Sequence, residues 1–587
     1  MAKNLVQIWK ESCDQFAGRP LFGNRTASGW VWTTYATFAK LVDDFRGGLA
    51  RLGVGAGDRV AIVSNNRVEW AVAAYATYGL RASFVPMYEV QHPTEWEFII
   101  QDCKAKIAIG SSSAVYQQLR EIAGRVACVE QVVGIELAPE HEHAYRRLLK
   151  LGADFSTAAQ DPDEEEIAGL LYTSGTTGKP KGVILSHRNV CSNVFAVRDL
   201  FGFGPDDRSL SFLYWAHSFG QVCELHVLLS KGASMAINDD VNNLLRNLAE
   251  VKPTILVSVP RIFNRIYDNV QNQIREKPAP IQSLFHSAIR AANKKGRGER
   301  IGALEQAALL LADKLIFKKI RAKVGGQLKL AVSGSAALSK EVAEFIDALG
   351  IQVYEGYGLS ETSPVVSVNV PGHRKFGSVG KPVPGVSVTI DQQAMGDAAD
   401  GSQGEIVVRG PNVMKGYYGL PEETRQVLRE DGSFRTGDTG YLDQDGYLFI
   451  TGRIKEQYKL ENGKYVAPAP LEEQLKLSPY ITNVMIYGAN RPHNVALVVP
   501  DSQALQKWAA ANAVELGDMA QNPKVRTLLS DEIAKLGTSF KSFEKPKGFA
   551  VVPEDFTIEN DLLTPSLKLK RRNVLAKYGA EIDALYR

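Results

Sequence analysis

Between residues 36 and 259, stretches of helical spacing alternate with short β-branched runs, and no other feature of the chain restricts its fold as strongly. Residues 36–52 repeat apolar side chains at helical intervals; Gly53-Val-Gly-Ala-Gly57-Asp58 then turns into the strand-like run 59–63. A second helical stretch, 68–78, leads to Ala82-Ser-Phe-Val-Pro86, and later runs at 254–259 and 328–332 repeat the theme. Strands separated by helices at this spacing predict an α/β fold built on largely parallel sheets. The texture changes near Val379. Short runs at 387–390, 405–408 and 446–450, punctuated by Gly, Pro and Asp, predict a more antiparallel, β-barrel-like portion. Beyond Gly452-Arg453-Ile454-Lys455 the remainder reads as a small α+β unit, dividing the chain into an N-terminal domain, 1–453, and a C-terminal domain, 454–587.

At 587 residues the chain can bury a large core without disulfide or metal staples. Lys and Arg total 68 against 65 Asp and Glu, and a net charge of +3 gives no footing for nucleic acid as a partner. Five cysteines, scattered and never spaced CxxC, read as a reduced set rather than a disulfide frame or zinc site. The first residues are charged where a signal peptide needs an apolar core. The longest apolar stretch, 304–320, is broken by Glu305, Asp313, Lys314, Lys318 and Lys319, so no spanning helix is predicted. Leu304, Ala308, Leu311 and Leu315 form one helical stripe within it. The basic segment 276–300, with Lys294, Lys295, Arg297 and Arg300, reads as a solvated face in preference to a membrane-contact patch. Together these features predict a soluble, cytoplasmic protein.

The strongest chemical signal is Leu171-Tyr172-Thr173-Ser174-Gly175-Thr176-Thr177-Gly178-Lys179-Pro180-Lys181-Gly182. Glycines let the backbone approach a polyanion and turn its N–H groups inward; the hydroxyls add donors, and Lys179 and Lys181 add positive charge. These are the needs of a triphosphate or pyrophosphate cradle. The run is not a Walker A loop, because Gly175 and Gly178 stand three apart and Pro180 follows Lys179 where that motif needs a hydroxyl residue.

The segment from Tyr172 to Gly182 resembles the phosphate loop of the adenylate-forming superfamily: acyl-CoA synthetases, peptide-synthetase adenylation domains and luciferases. Further segments resemble that superfamily's motifs in the expected order. They are Ala331-Val-Ser-Gly334-Ser335-Ala336; Tyr354-Glu355-Gly356-Tyr357-Gly358-Leu359-Ser360-Glu361-Thr362; Gly404-Glu405-Ile406-Val407-Val408-Arg409-Gly410 with Gly416-Tyr417-Tyr418; Arg435-Thr436-Gly437-Asp438; and Thr451-Gly452-Arg453-Ile454-Lys455.

The resemblance implies ATP and Mg2+ in a first step that joins AMP to a carboxylate, which makes the acid oxygen a leaving group. It implies nucleotide contacts from Thr173, Ser174, Gly175, Thr176, Thr177, Gly178 and Lys181, and from the turn Gly334, Ser335, Ala336. It adds Glu355, Gly356, Tyr357, Gly358 and Ser360, with the Tyr357 ring offered to adenine and the Ser360 hydroxyl, in place of the usual threonine, to the α-phosphate. Glu361 with the Thr173 hydroxyl is implied as the metal pair. Asp438 and Arg453 are implied at the ribose, although a lone Thr-Gly-Asp is more often a turn. In Leu563-Thr564-Pro565-Ser566-Leu567-Lys568-Leu569-Lys570-Arg571-Arg572, Lys568 matches the catalytic lysine and Lys570 competes for that place; Leu567 stands where glycine is common.

Two half-reactions with different partners need two arrangements, and the family meets this by rotating a mobile small domain about a hinge. Lys455 matches the hinge, and Gly463 resembles the loop that rotation brings to the nucleotide and the thiol of CoA, the co-substrate. Val259-Pro260-Arg261-Ile262-Phe263-Asn264-Arg265-Ile266-Tyr267 and Phe317-Lys318-Lys319-Ile320-Arg321 resemble long-chain fatty acyl-CoA synthetases specifically. Trp215, His217, Phe219 and Gly220 occupy the family's aromatic motif beside the acyl pocket, and Gly356 leaves room for an acyl chain. The expected activity is a long-chain fatty acid–CoA ligase. An acyl-AMP ligase loading a carrier protein usually carries an insertion after the hinge, and Lys455 runs to Gly463 at ordinary spacing. An inactive acyl or nucleotide sensor would have lost Glu361, Asp438 or the C-terminal lysine, and all are present. A membrane scaffold would need a spanning or strongly amphipathic anchor, which the sequence does not display. Peripheral membrane contact, where a fatty acid partitions, and a homodimer stay open.

Overall fold

The computed structural model describes residues 3–173, 179–394, 403–564 and 566–587. The first helical repeat becomes the helix Tyr35–Arg51, opened by the Thr34 side chain accepting from the Thr37 N–H. The strand Arg59–Val63 and the helix Val68–Tyr78 follow with the predicted bounds. That helix is apolar on nearly every side, and all its residues but Glu69 are buried.

The seven-stranded sheet runs Gly416–Tyr417, Lys181–Ser186, Ile167–Thr173, Ser83–Met87, Arg59–Val63, Ile107–Gly110, Gln131–Gly134. Its last five strands are parallel; the first two are antiparallel additions at one edge. A nine-stranded sheet contains the parallel set Gln352–Gly358, Leu330–Ser333, Ile255–Ser258, Arg208–Ser211, Ser234–Ile237 and Pro20–Thr26, with antiparallel strands at both ends. One core joins the two sheets. Trp70 on the buried helix meets Phe84 of the first sheet at 5.0 Å between ring centroids and Trp215 at 5.7 Å, and Trp215 in turn meets Phe22 of the second at 5.6 Å. The predicted antiparallel portion is a four-stranded sheet of Ser387–Asp391, Gly404–Arg409, Phe434–Leu442 and Leu448–Arg453.

The smaller C-terminal domain holds a three-stranded sheet, Ile481–Tyr487, Val495–Pro500 and Phe549–Val551. Ala496 and Val498 face one core while Val495, Leu497 and Val499 face another. Burial on both faces is why Val495–Pro500 is an unbroken apolar run. Leu477 of this domain packs into a core formed by the helices Pro260–Arg275, Ala279–Gly296 and Lys340–Ala348 of the large one.

The stretch 304–320 divides into the helix Ala303–Ala312, a wide π-helical turn Asp313–Phe317 and the helix Lys318–Lys323. Its inner side is held by Ala312 and Phe317, the latter edge-on to Phe285. The stripe that carries Leu304, Leu311 and Leu315 points outward, and Leu304 is 88% exposed. No helix among the described residues is long and apolar enough to cross a membrane.

Candidate functional site

Thr173 ends the strand Ile167–Thr173 and pairs in register with Lys181 on the next strand. The intervening Ser174, Gly175, Thr176, Thr177 and Gly178 lie outside the described residues, as does Pro565. Beyond the loop the Lys179 ammonium sits over Phe98 and that of Lys181 over Tyr417, 5.0 Å from the ring centre. Tyr417 belongs to the short edge strand Gly416–Tyr417, and its hydroxyl donates to Glu361 Oε1 at 2.9 Å. Burial and the Glu361 charge hold the Tyr417 phenol well above its usual range, so it stays a donor. One tyrosine thus joins the strand after the phosphate loop to Glu361, which sits in the turn Ser360–Thr362.

The four-stranded sheet supplies the next group. Asp438 and Arg453 are cross-strand neighbours, and Arg453 Nε donates to Asp438 Oδ1 at 2.7 Å. The Tyr357 hydroxyl donates to Asp438 Oδ2, also at 2.7 Å. Asp438 holds the guanidinium well above its ordinary range, and burial raises the Tyr357 phenol. Each carboxylate oxygen retains a lone pair for a further donor.

The turn Gly334-Ser335-Ala336 leaves the strand Leu330–Ser333, with Ser335 at φ +70°. A Cβ on Gly334 would lie 3.0 Å from Phe219 Cζ, so this glycine lets the aromatic segment close on the turn. Glu355 lies beneath the turn. Its carboxyl is buried, accepts backbone N–H groups of Leu338 and Gly377, and is pushed up to about 8 by burial. Gly358 could not carry a side chain, since its Cβ would overlap the Pro364 carbonyl. At Gly356 the corresponding space is bounded by the Ser367 carbonyl and Val368, 3.3 Å away. The Ser360 hydroxyl is 3.2 Å from that of Ser218.

Of the aromatic motif, Trp215 is fully covered, wedged between Trp70 and Phe22, so it backs the segment and does not face open space. Gly220 is required by close approach: its Cβ would lie 2.6 Å from the Tyr214 carbonyl. His217 is half-buried, and burial first, then the Lys568 ammonium, lower it to about 4, so its ring is neutral near pH 7.

Lys568 comes from the small domain on a tight loop in which its N–H donates to Thr564 Oγ1 and its carbonyl accepts from the Thr564 N–H. Leu567 beside it has φ +60°, which explains why glycine is common at that place. The Lys568 side chain keeps solvent access within the cleft, yet protein surrounds it, and its ammonium is lowered by that enclosure and then by Arg453. Asp438, Glu456 and Glu361 pull it the other way. Lys570 points elsewhere, pairing with Asp561 and lying 3.9 Å from Glu95 of the large domain. Lys455 is exposed in the turn Ile454–Glu456, directly after the strand that carries Arg453.

The structure brings Thr173, Lys181, Glu361, Asp438, Arg453, Tyr357, His217 and Lys568 around one cleft between the domains. Sequence reasoning missed Tyr417, although it lies in a segment already singled out, and also Asn66 and Glu224. Asn66 Oδ1 accepts from the Trp215 N–H, and its amide donates to the Leu213 carbonyl, pinning the aromatic segment to the first sheet. Glu224 is fully buried and accepts from Ser209 and Ser211 hydroxyls at 2.9 and 2.5 Å, with Trp215 Nε1 at 3.4 Å. A lone acid inside an apolar run was its only signal. Among the described residues no three His, Cys, Asp or Glu side chains form a metal cage.

Residues 9–418 match the family described as AMP-binding enzyme, and residues 455–587 match its C-terminal domain. The long-chain-fatty-acid–CoA ligase FadD15 of Mycobacterium bovis is 34% identical over 95% of this chain and 93% of its own. Long chain acyl-CoA synthetase 7, peroxisomal, of Arabidopsis thaliana is 32% identical over 99% of this chain and 85% of its own. Among solved structures, the adenylation domain of a Mycobacterium chelonae carboxylate reductase superposes with a TM-score of 0.82 at 22% identity, covering 99% of this chain and 91% of that one. This last likeness is one of fold.

Proposed function

The chain belongs to the AMP-binding enzyme family, and from that premise we propose how its residues divide the work of a long-chain fatty acid–CoA ligase. The enzyme converts ATP, a fatty acid and CoA to acyl-CoA, AMP and diphosphate through an acyl-adenylate. In the first half-reaction a carboxylate oxygen attacks the α-phosphorus and diphosphate leaves. Two anions must meet, so the site has to supply positive charge where they approach. Lys568 supplies it at the carboxylate and α-phosphate, and Lys181 with the loop 174–178 at the departing diphosphate. Asp438 holds the ribose hydroxyls, aimed by the hydrogen bonds it accepts from Arg453 and Tyr357. His217, neutral, lines the acyl side without adding charge.

The Thr173 hydroxyl and the Glu361 carboxylate are hard oxygen donors of the kind Mg2+ takes, and they would hold it. When bound, the ion neutralises charge on the phosphates. Tyr417 fixes which way Glu361 faces.

In the second half-reaction the CoA thiol displaces AMP from the acyl carbon. We place the domain boundary between Arg453 and Ile454 and the hinge at Lys455, about which the small domain turns to remove Lys568 and admit the thiol. All five cysteines are free thiols, which suits a reducing, cytoplasmic compartment, and a fatty acid substrate calls for peripheral contact with membranes. The observation that carries the reading is Lys568, delivered by one domain into a cleft lined by Glu361, Asp438, Arg453 and His217 of the other.

The test is AMP and thioester formation over a ladder of fatty acids from medium to very long chain, with and without CoA. CoA-dependent thioester, greatest with the longer acids, is expected. Acyl-AMP that accumulates and ignores CoA would move the acceptor to a carrier protein, and no turnover with any fatty acid would discard the substrate assignment.

A further inference from the structure

The segment 303–323 is anchored from within and bare on the outside. Ala312, Ile316 and Phe317 are buried, while Leu304, Leu310, Leu311 and Leu315 are 88%, 64%, 49% and 43% exposed. Leu304, Leu311 and Leu315 recur at helical spacing and share one face, with Leu310 about a quarter turn to its side, so they form one apolar ridge and not the scattered exposure normal at a protein surface.

The charge around the ridge is one-sided. Its acids are engaged: Glu305 takes Lys294 at 2.6 Å and caps the Gly302 N–H, and Asp313 takes Arg321 at 2.8 Å. Lys295, Arg300, Lys314, Lys318 and Lys319 have no hydrogen-bond or ion-pair partner among the described residues, and Glu299 is the one acid of the segment likewise free. Residues 294–323 carry nine Lys and Arg against three Asp and Glu, in a chain whose net charge is only +3. Lys314 lies between Leu311 and Leu315, and Lys318 and Lys319 follow them along the same run, where their aliphatic stems can lie along the ridge with the ammonium groups at its rim.

We propose that this ridge is where the protein docks on a lipid bilayer bearing anionic phospholipid headgroups, the leucines entering the acyl boundary and the flanking lysines meeting the phosphates. A neutral protein partner would match the leucines but leave the uncompensated cations without a counterpart. A second copy of the chain would bring the same positive field against itself. The docking site gives a location to the membrane contact proposed above. It rests on the surface itself, and its first readout, vesicle binding, is independent of which acid the enzyme takes.

The experiment is flotation of the full-length protein with vesicles of phosphatidylglycerol and of phosphatidylcholine, at low and high salt. Wild type is expected to float with the former only, and less so at high salt. The pair Leu304→Gln with Leu311→Gln, and separately Lys314→Gln with Lys318→Gln and Lys319→Gln, should each weaken binding about tenfold or more. All these positions are exposed and remote from the cleft residues, so melting temperature and turnover of a water-dispersed acid should stay at wild-type values. Unchanged binding by both variants, equal binding to both lipids, or no binding at all would overturn the proposal. So would a wild-type dimer in sedimentation velocity that dissociates in the leucine pair, which would make the ridge an interface between copies.

Discussion

Lys568 and Lys570 stand on one loop yet meet different charges. Lys570 is neutralised by Asp561 with Glu95 nearby, whereas Lys568 faces Glu361, Asp438 and Glu456 against the opposing push of Arg453. Replacing Lys568 by Ala should therefore slow acyl-adenylate formation by about 10²–10³-fold, measured as diphosphate release, while thioester formation from supplied acyl-AMP survives. Lys570→Ala should leave the first step near wild type; the opposite result would exchange the two roles. Glu224 offers a second test at this scale. Burial raises its carboxyl from 4.5 to about 7, so over that window the folded protein binds more protons than the unfolded chain. Stability is then highest at the acid end and declines as pH climbs through the window. Glu224→Gln, which keeps the shape, offers a carbonyl oxygen to one of the two serine hydroxyls and an amide N–H to the other, and cannot ionise, should remove up to about 3 kcal/mol of that decline. Parallel urea-unfolding slopes with pH in the two proteins would refute the buried titration.

At the scale of elements the turn Ile454–Glu456 decides most. It follows a strand, precedes the hairpin Tyr458–Lys459 and Tyr465–Val466, and its lysine is exposed without a side-chain partner among the described residues. Such a turn can change its torsions without breaking a packed core. Lys455→Pro fixes one torsion and restricts Ile454. It should leave adenylate formation within severalfold of wild type and reduce thioester formation at least about tenfold, read by separate half-reaction assays. Equal losses in both steps would show that the hinge lies elsewhere. Elements were largely legible because periodicity reports them: the strand Arg59–Val63 and the helix Val68–Tyr78 need only neighbouring residues to be recognised. The stripe of Leu304, Leu311 and Leu315 shows where that reading stops. Spacing places the three on one face, but only the seating of Ala312 and Phe317 determines that the face looks outward.

For the whole molecule, the motif order fixed the family likeness because phosphate, ribose and metal chemistry each demand particular residue types at short spacing. Contacts between distant segments carry no such local signature. Tyr417 reaching Glu361, Asn66 holding Trp215, and Ser209 and Ser211 closing on Glu224 all depend on which strands lie side by side. The same holds for the domain interface, where Leu477 and Lys570 of the small domain meet the core helices and Glu95 of the large one.

Arg453, the partner of Asp438, is also the last residue before the turn Ile454–Glu456, where we place the hinge. In the division of work proposed above, the ribose-clamp residue Arg453 and the pivot Lys455 stand two residues apart, so the torsions that would swing the small domain begin beside the residue that aims the sugar-binding carboxylate. Nucleotide occupancy and domain orientation are in that case two faces of one equilibrium. By linkage, whatever factor a bound nucleotide contributes to favouring one orientation, locking that orientation must return as the same factor in nucleotide affinity.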